Sequence, residues 1–417
     1  MPASLHLHNT MTRKTDRFTP RKPGRPVKMF TCGPSIYNWP HIGNYRTFLF
    51  EDILQRYLEY LGYRVDRLIN FTDMEDKAIS RANELGISLK DLTRPVADSF
   101  IRDCGALNIY LPQTIARSTT SVEQAVYLIS RLMEKNIAYR YGHDIFYDPL
   151  EFKGFGRLYG LDMRKWPKKR IRFRKDTYPG QRWNLGDFIL WKGWRPADGD
   201  IFWDTELGRG RPAWNVQDAA MIARHLGEEL DICCGGIDNL YRHHDYNIAV
   251  IEGVSGKELA PFWLHAGHVS INGAKMSKSR GNIVYVRELM DKGYAAHHIR
   301  FFLIYGHYRS RRDLTEDRIH QARGKIDTFR EMVRNLSARD AGDKPAFPAA
   351  KPLIERLQPD FENHMNDDLD VKAAFDGTYH TVSQLMDMAL AGDLGTADIE
   401  AVKHRLTRID SVLQVLA

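Results

Sequence analysis

Two short runs carry residue types suited to holding a polyphosphate. Lys275-Met276-Ser277-Lys278-Ser279 sets two lysines three positions apart in a loop flanked by Gly273 and Gly281, and their ammonium groups reach phosphate as point charges. His41-Ile42-Gly43-Asn44 offers an imidazole and an amide on either side of a glycine, in a turn-rich run. Taken singly each has a bland reading, a solvated loop in one case and a chance tetrapeptide in the other. Together they point to one phosphate site built from distant parts of the chain.

The elements around them fit that site. Val27 to Cys32 reads as a buried strand, broken by Gly33-Pro34-Ser35, and Phe48, Leu49, Ile53, Leu54, Tyr57, Leu58 and Leu61 recur at helical spacing from Thr47 to Leu61, with Gly62 as a stop. Tyr63 to Phe71 reads as a second strand. Strand, helix, strand is a βαβ unit, so a parallel, doubly wound sheet is expected, with its site at the carboxyl ends of the strands. His41 would then sit at a helix N-terminus, where backbone N–H groups favour phosphate.

Further helices are expected over Ile87–Leu107, with Pro95 marking a break or fresh start, and over Ser121–Lys135. Tyr139 to Gly210 is rich in Gly, Trp and basic residues with short strand-like runs, which suggests an insertion with its own small fold. Helix returns at Val216–Leu226, strand at Leu230–Cys233 and helix at Tyr246–Gly253. After Asn282 only helices are expected: Val286–Lys292, Ala295–Tyr305, Glu316–Ala338, Lys351–Met365 and two more, with 340–352 as a linker. No internal repeat is visible.

Composition narrows the class. A chain of 417 residues with 43% hydrophobic and 11% aromatic residues can bury a sizeable core in two to four domains. No apolar run approaches a membrane span and the N-terminus lacks a signal-peptide pattern, so a soluble, cytoplasmic protein is expected. Cys32, Cys104, Cys233 and Cys234 are too few and too uneven for a disulfide framework. The net charge of +7 permits a polyanionic partner without requiring one.

The successive runs Cys32-Gly33-Pro34-Ser35-Ile36-Tyr37, His41 to Asn44, Asn70-Phe71-Thr72-Asp73-Met74-Glu75-Asp76-Lys77, Gly208 to Trp214, Gly235-Gly236-Ile237-Asp238, His243-His244-Asp245 and Lys275 to Ser279 resemble, in order, the motifs of the cysteinyl-tRNA synthetases, which are class I aminoacyl-tRNA synthetases. The likeness extends from about Leu5 to Leu336 and more weakly through Asn366-Asp367-Asp368-Leu369. It implies an α/β fold: a Rossmann-like catalytic domain in two parts (1–112 and 211–285), a connective insertion (113–210) and a C-terminal α-helical bundle (286–417). It also implies ATP-dependent formation of an aminoacyl adenylate, with Mg2+, and transfer to an acceptor. His41, Asn44, Lys275 and Lys278 would be the catalytic residues, with Gly43, Gly236, Asp238, Met276 and Ser277 completing the ATP site. Asn44 replaces the second histidine of the usual motif and keeps a donor. Thr72 and Asp73 would either belong to the site or cap the following helix.

The amino-acid pocket implied by the resemblance is Cys32, Gly33, Thr72, Trp214, Asp218, His243 and Asn247. In that family four of these positions hold a zinc ion that binds the substrate thiolate, as two cysteines, a histidine and a glutamate. Here they are Cys32, Asp218, His243 and Asn247. Zinc accepts Cys, Asp and His, whereas Asn is a poor ligand. Cys233 and Cys234 would either assist or be buried fillers. Asp218 facing Asn247 would suit a hydroxyl, amide or ammonium group better than a thiol.

Two acceptors stay open. The chain ends at Ala417, inside or just after the bundle, and this, with His243-His244-Asp245-Tyr246 and Gly306-His307-Tyr308-Arg309, resembles the mycothiol-pathway relative that joins cysteine to a small-molecule amine. Against that stand eight cations interleaved with Trp166 and Phe173 between Arg164 and Lys175, a mixture suited to the phosphates and bases of a tRNA or other RNA, or else to an exposed strand. A non-catalytic nucleotide- or RNA-binding paralogue is the remaining alternative.

Overall fold

Strands that pair in parallel need a crossover between them, and the helices of this chain supply it. The computed structural model describes residues 4–112, 114–166, 168, 186–277, 280–339 and 344–416. A hairpin of β1 (His6–Asn9) and β2 (Lys14–Arg17) leads into β3 (Val27–Thr31), α1 (Ile42–Tyr60), β4 (Val65–Phe71), α2 (Asp76–Leu85), α3 (Leu89–Ala106), β5 (Ile115–Arg117) and α4 (Val122–Glu134). An antiparallel sheet follows, β6 (Ala138–Tyr141), β7 (Asp144–Tyr147), β8 (Phe188–Gly193) and β9 (Gly210–Pro212), supplied by the Gly- and Trp-rich segment. The chain then runs through α5 (Trp214–His225), β10 (Ile232–Gly236), α6 (Asp245–Ser255) and β11 (Phe262–Ala266).

The central sheet has the order β11-β10-β3-β4-β5, every pairing parallel. From β3 the chain steps one way to β4 and β5, then returns to the other side with β10 and β11. Strand order therefore reverses between β3 and β10, and a crevice opens beyond their carboxyl ends. Alternation along each strand divides the core: Met29 and Cys234 join one apolar layer, Phe30 and Cys233 the other. Cys233 and Cys234 are wholly buried on opposite faces, which makes them fillers of two core layers.

β12 (Val269–Ile271) and β13 (Ala274–Lys275) form a hairpin, followed by α7 (Val286–Asp291) and α8 (Ala296–Ile304). The expectation of helices alone after Asn282 fails at β14 (Arg312–Leu314), which pairs parallel with β12. Asp313 Oδ1 accepts from Ser270 Oγ at 2.6 Å and Gly273 N at 2.8 Å, so this strand braces the hairpin that carries Lys275. The helices α9 (Glu316–Ser337), α10 (Lys351–Asn366), α11 (Val371–Ala391) and α12 (Thr396–Leu413) complete the chain as a bundle.

Three other expectations change. α1 begins at Ile42, five residues ahead of its apolar stripe, because His41 takes the N-cap position. Pro95 does not break α3: the helix starts after the Ser88 N-cap, whose hydroxyl accepts from Asp91 N at 3.0 Å, and Pro95 lies on its exposed face, where water can take the carbonyl left unpaired. Neither Thr72 nor Asp73 caps α2, whose N-cap is Glu75. Asp73 instead holds β5 and the following turn, accepting from Ser118 Oγ and Thr119 Oγ1, both at 2.8 Å. Among the described residues no helix is long and apolar enough to cross a membrane.

Candidate active site

The crevice beyond β3 and β10 is a cleft of about 440 Å3. Two groups of side chains line it, and they are built differently.

The first group surrounds the start of α1. His41 has extended backbone (φ −101°, ψ 170°) and its N–H donates to Asn44 Oδ1 at 2.9 Å, so the residue that departs from the resemblance caps the helix that carries the histidine. Among the described residues its buried Nδ1 has no hydrogen-bond partner. Burial holds the His41 imidazole below its usual range, against the opposing pull of Asp238. Gly43 is required by close approach: a Cβ there would stand 2.7 Å from Met276 Cε and 3.0 Å from His41 Cε1. The lysine loop thus lies directly over the helix start, with Lys275 exposed in the cleft wall. Asn282 closes that loop, its Oδ1 accepting from Ser277 N at 2.9 Å and its Nδ2 donating to Lys275 O at 3.2 Å. Gly236 and Asp238 line the cleft, as do Asn44 and Ser277. Lys278 lies outside the described residues.

The second group is a buried cluster of polar side chains. Asp218, on α5 and only 5% exposed, accepts from Asn70 Nδ2 at 2.8 Å through Oδ1. Asn70 is itself fixed by Gly33 N, which donates to its Oδ1 at 2.8 Å. Oδ2 of Asp218 faces Cys32 Sγ at 3.9 Å and His243 Nδ1 at 3.6 Å. Burial pushes the Cys32 thiol well up from its ordinary value, and the Asp218 carboxylate pushes it further. Asn239 ties the two groups together: its Oδ1 accepts from Gly236 N at 2.9 Å and its Nδ2 donates to Cys32 Sγ at 3.4 Å.

Nearly all the expected residues that are described meet in this one cleft, Gly33 and Thr72 included, with two exceptions. Trp214 stands behind His243, ring centroids 4.9 Å apart, and also packs on Tyr246, so it shapes the wall indirectly. Asn247 is 1% exposed within α6 and does not line the cleft, so Asp218 faces His243 where the sequence suggested Asn247. Asn70, Asn239 and Asn282 were missed as functional residues. An isolated amide carries no spacing signal, and only the fold reveals what it bridges. Trp39, 51% exposed, also lines the cleft.

The zinc ion implied by the resemblance can be tested against these donors. Cys32 Sγ, Asp218 and His243 offer ligand atoms within 4.8 Å of one another, and this His/Cys/Asp/Glu group has three members among the described residues. The fourth position is the amide Asn247, whose buried Nδ2 has no partner among the described residues. One of Asp218's oxygens is already engaged by Asn70. The set does not make the four-ligand centre, and a single thiol replaces two.

The RNA-facing reading of the basic run also changes where it is described. Trp166 is 3% exposed and packs edge-on against Phe155 at 5.4 Å, so it offers no stacking face to a base. Arg164 is turned onto Asp162 at 2.8 Å. Residues 167 and 169–175 lie outside the described residues.

Comparison with known proteins gives a consistent result. The family model described as tRNA synthetases class I (C) catalytic domain matches residues 18–324. A protein named cysteine--tRNA ligase from Chlamydia pneumoniae is 34% identical over 99% of this chain and 86% of its own length. One of the same name from Chlamydia muridarum is 33% identical over 99% and 88%. Among solved structures, Mycobacterium tuberculosis methionyl-tRNA synthetase bound by methionyl-adenylate superposes with a TM-score of 0.64 at 15% identity, covering 94% of this chain and 90% of that one, which is a likeness of fold.

Proposed function

The chain belongs to the family of class I (C) tRNA synthetases, and on that premise we propose that its cleft binds ATP beside an amino acid, forms the aminoacyl adenylate, and passes the aminoacyl group to the 3′ end of a tRNA. As a member it is an ATP-dependent ligase. The observation that carries the proposal is that one cleft holds both a phosphate-type group (His41, Gly43, Lys275) and a buried polar cluster (Cys32, Asp218, His243).

The chemistry needs no protein nucleophile. A carboxylate oxygen of the amino acid attacks the α-phosphorus of ATP, supplied with Mg2+; the bond to the bridging oxygen breaks and pyrophosphate leaves. Charge builds on the phosphoryl oxygens during this step. The N-terminus of α1, His41, held by burial as a neutral donor, and the Lys275 ammonium supply positive potential in the place where it builds. The stacking of Met276 over Gly43 keeps the loop against the helix. In the second step the terminal hydroxyl of the acceptor attacks the adenylate carbonyl carbon and AMP departs. A tRNA acceptor is supported by the names of the relatives, which align with nearly the whole chain.

Amino-acid-dependent exchange of pyrophosphate into ATP tests the first step. Exchange with at least one amino acid is expected, and none across the standard set and short diamino acids would contradict the proposal. Charging of total tRNA tests the second step. Adenylate formation without any charged tRNA would exclude the RNA acceptor while leaving the first step intact.

A further inference from the structure

The buried cluster beside the phosphate group holds a carboxylate that, among the described residues, only an imidazole, a thiol and an amide face. Asp218 is 5% exposed, and among the described residues no lysine or arginine pairs with it. Its Oδ1 is satisfied by the neutral amide of Asn70 at 2.8 Å. Its Oδ2 has only the Cys32 thiol at 3.9 Å and His243 Nδ1 at 3.6 Å. Neither contact is a strong hydrogen bond, since thiols donate weakly and 3.6 Å is too long for N–H···O. A buried anion of this kind is costly unless a cation or several good donors meet it. The amide frame Gly33–Asn70–Asp218 nevertheless fixes it in the cleft wall.

We infer that Asp218 recognises the side chain of the amino acid substrate, and that this side chain is short and ends in a protonated amine, as in 2,3-diaminopropionate. The inference rests on the reading of the cleft as an amino-acid-activating site and names the substrate class of that site. An ammonium carries three N–H donors and a full positive charge. Cys32 Sγ, a carboxylate oxygen of Asp218 and a ring nitrogen of His243 lie within 4.8 Å of one another, so one nitrogen above them reaches all three at about hydrogen-bond distance. A thiolate there would face the Asp218 carboxylate with like charge, and the Cys32, Asp218 and His243 set lacks the fourth protein ligand of the family's metal centre. A hydroxyl would donate one hydrogen bond and leave the charge uncompensated. Length is limited because Asn239 ties the cluster directly to the phosphate side of the cleft, bonding Cys32 Sγ at 3.4 Å and Gly236 N at 2.9 Å.

The test uses the full-length protein as purified, with its metal content measured, and compares pyrophosphate exchange supported by 2,3-diaminopropionate, serine and cysteine, with and without chelator. Exchange with 2,3-diaminopropionate should exceed that with the other two by about 100-fold or more in kcat/KM and survive the chelator. Calorimetric titration should register its binding independently of turnover. Asp218→Asn should weaken that binding by about 30-fold, the order expected for a lost charged hydrogen bond. Preference for cysteine or serine would overturn the inference and leave the ligase reading standing, as would a stoichiometric metal whose removal abolishes exchange. Absence of exchange with every amino acid would overturn the ligase reading and this inference with it. The substrate comparison on unmodified protein decides the matter even if Asp218→Asn fails to fold.

Discussion

The two groups in the cleft differ in what holds them. Around His41 the bonds all end on main-chain atoms: a helix N-terminus capped by the Asn44 amide, a glycine that lets Met276 approach, a loop whose backbone the Asn282 amide closes. Around Asp218 the fixed parts are side chains bonded to side chains, Asn70 to Asp218 and Asn239 to Cys32. A site made by backbone tolerates a change such as Asn at position 44, because the amide restores the cap through a different atom. A site made by side chains changes its chemistry when one member changes. On that contrast, the helix start at His41 keeps its frame with Asn at position 44, while Asp218 and Asn247 set the side-chain chemistry next to it.

The contrast is most easily broken at His41 and Lys275. Replacing either by alanine should lower kcat for pyrophosphate exchange about 100- to 1,000-fold, the loss typical of one preorganised donor, with amino-acid affinity from calorimetric titration unmoved. A comparable loss of amino-acid binding would show that the two groups are not separable.

Gly33→Ala strikes the other group through its backbone. A Cβ there would stand 1.8 Å from Asn70 O and 2.9 Å from Asn70 C, main-chain atoms that have no rotamer to yield. The floor must shift, costing about 1–3 kcal/mol in denaturant unfolding and misplacing Asp218. Unchanged stability and amino-acid affinity would mean that the Gly33–Asn70–Asp218 frame is not what fixes the pocket.

A third effect concerns the buried histidines behind that pocket. His244 Nδ1 and His265 Nε2 lie 2.8 Å apart, and Thr10 Oγ1 meets His265 at 2.8 Å. Burial pushes His265 down to about 3 and His244 well down. Both are therefore neutral when folded, while the unfolded chain takes up protons below about 6.5. Stability contributed by these rings is complete above that pH and is lost as pH falls from about 6.5 towards 3. Glu51 and Asp245, pushed up by burial to about 8 and about 7, act in the opposite sense, since their stability is lost as pH rises. The comparison must therefore be between variants. His265→Gln should flatten the acid-side slope by up to about 1.4 kcal/mol per pH unit, read from denaturation midpoints between pH 7 and 5. An identical slope in both proteins would show that His265 is protonated in the fold.

The smallest effect should come from Asn44→His, within about threefold in exchange, because position 44 acts through the cap. Asn44→Ala removes that cap and should cost about 1 kcal/mol of stability. A large activity change in either would make Asn44 a direct ligand of ATP.

Much of the phosphate group was legible before the structure, because runs such as His41 to Asn44 and Lys275 to Ser279 are contiguous and a βαβ pattern announces where they go. Elements without that support were harder to see. α2 is mostly polar and short, β14 is three residues with one apolar side chain buried, and β11 is a brief apolar run that periodicity cannot tell from a helix turn. The helix start at Ile42 was misplaced because the apolar stripe begins later than the cap. Asn70 was visible only as the first residue of a quoted run and Asn239 and Asn282 not at all: their partners are 148, 207 and 5 or 7 residues away, and nothing local marks an amide as a bridge. The chemistry of the Asp218 cluster was readable as a substitution, but the direction it faces was not.

The central claim, that a single cleft joins ATP to a small amino acid, is tested most directly by rapid-quench mass spectrometry of the protein mixed with ATP and the candidate amino acids. The account predicts an aminoacyl adenylate, formed in one turnover with an equal amount of pyrophosphate and about 100- to 1,000-fold more slowly by His41→Ala. Intact ATP with every amino acid, or AMP released without an aminoacyl adenylate, would contradict it.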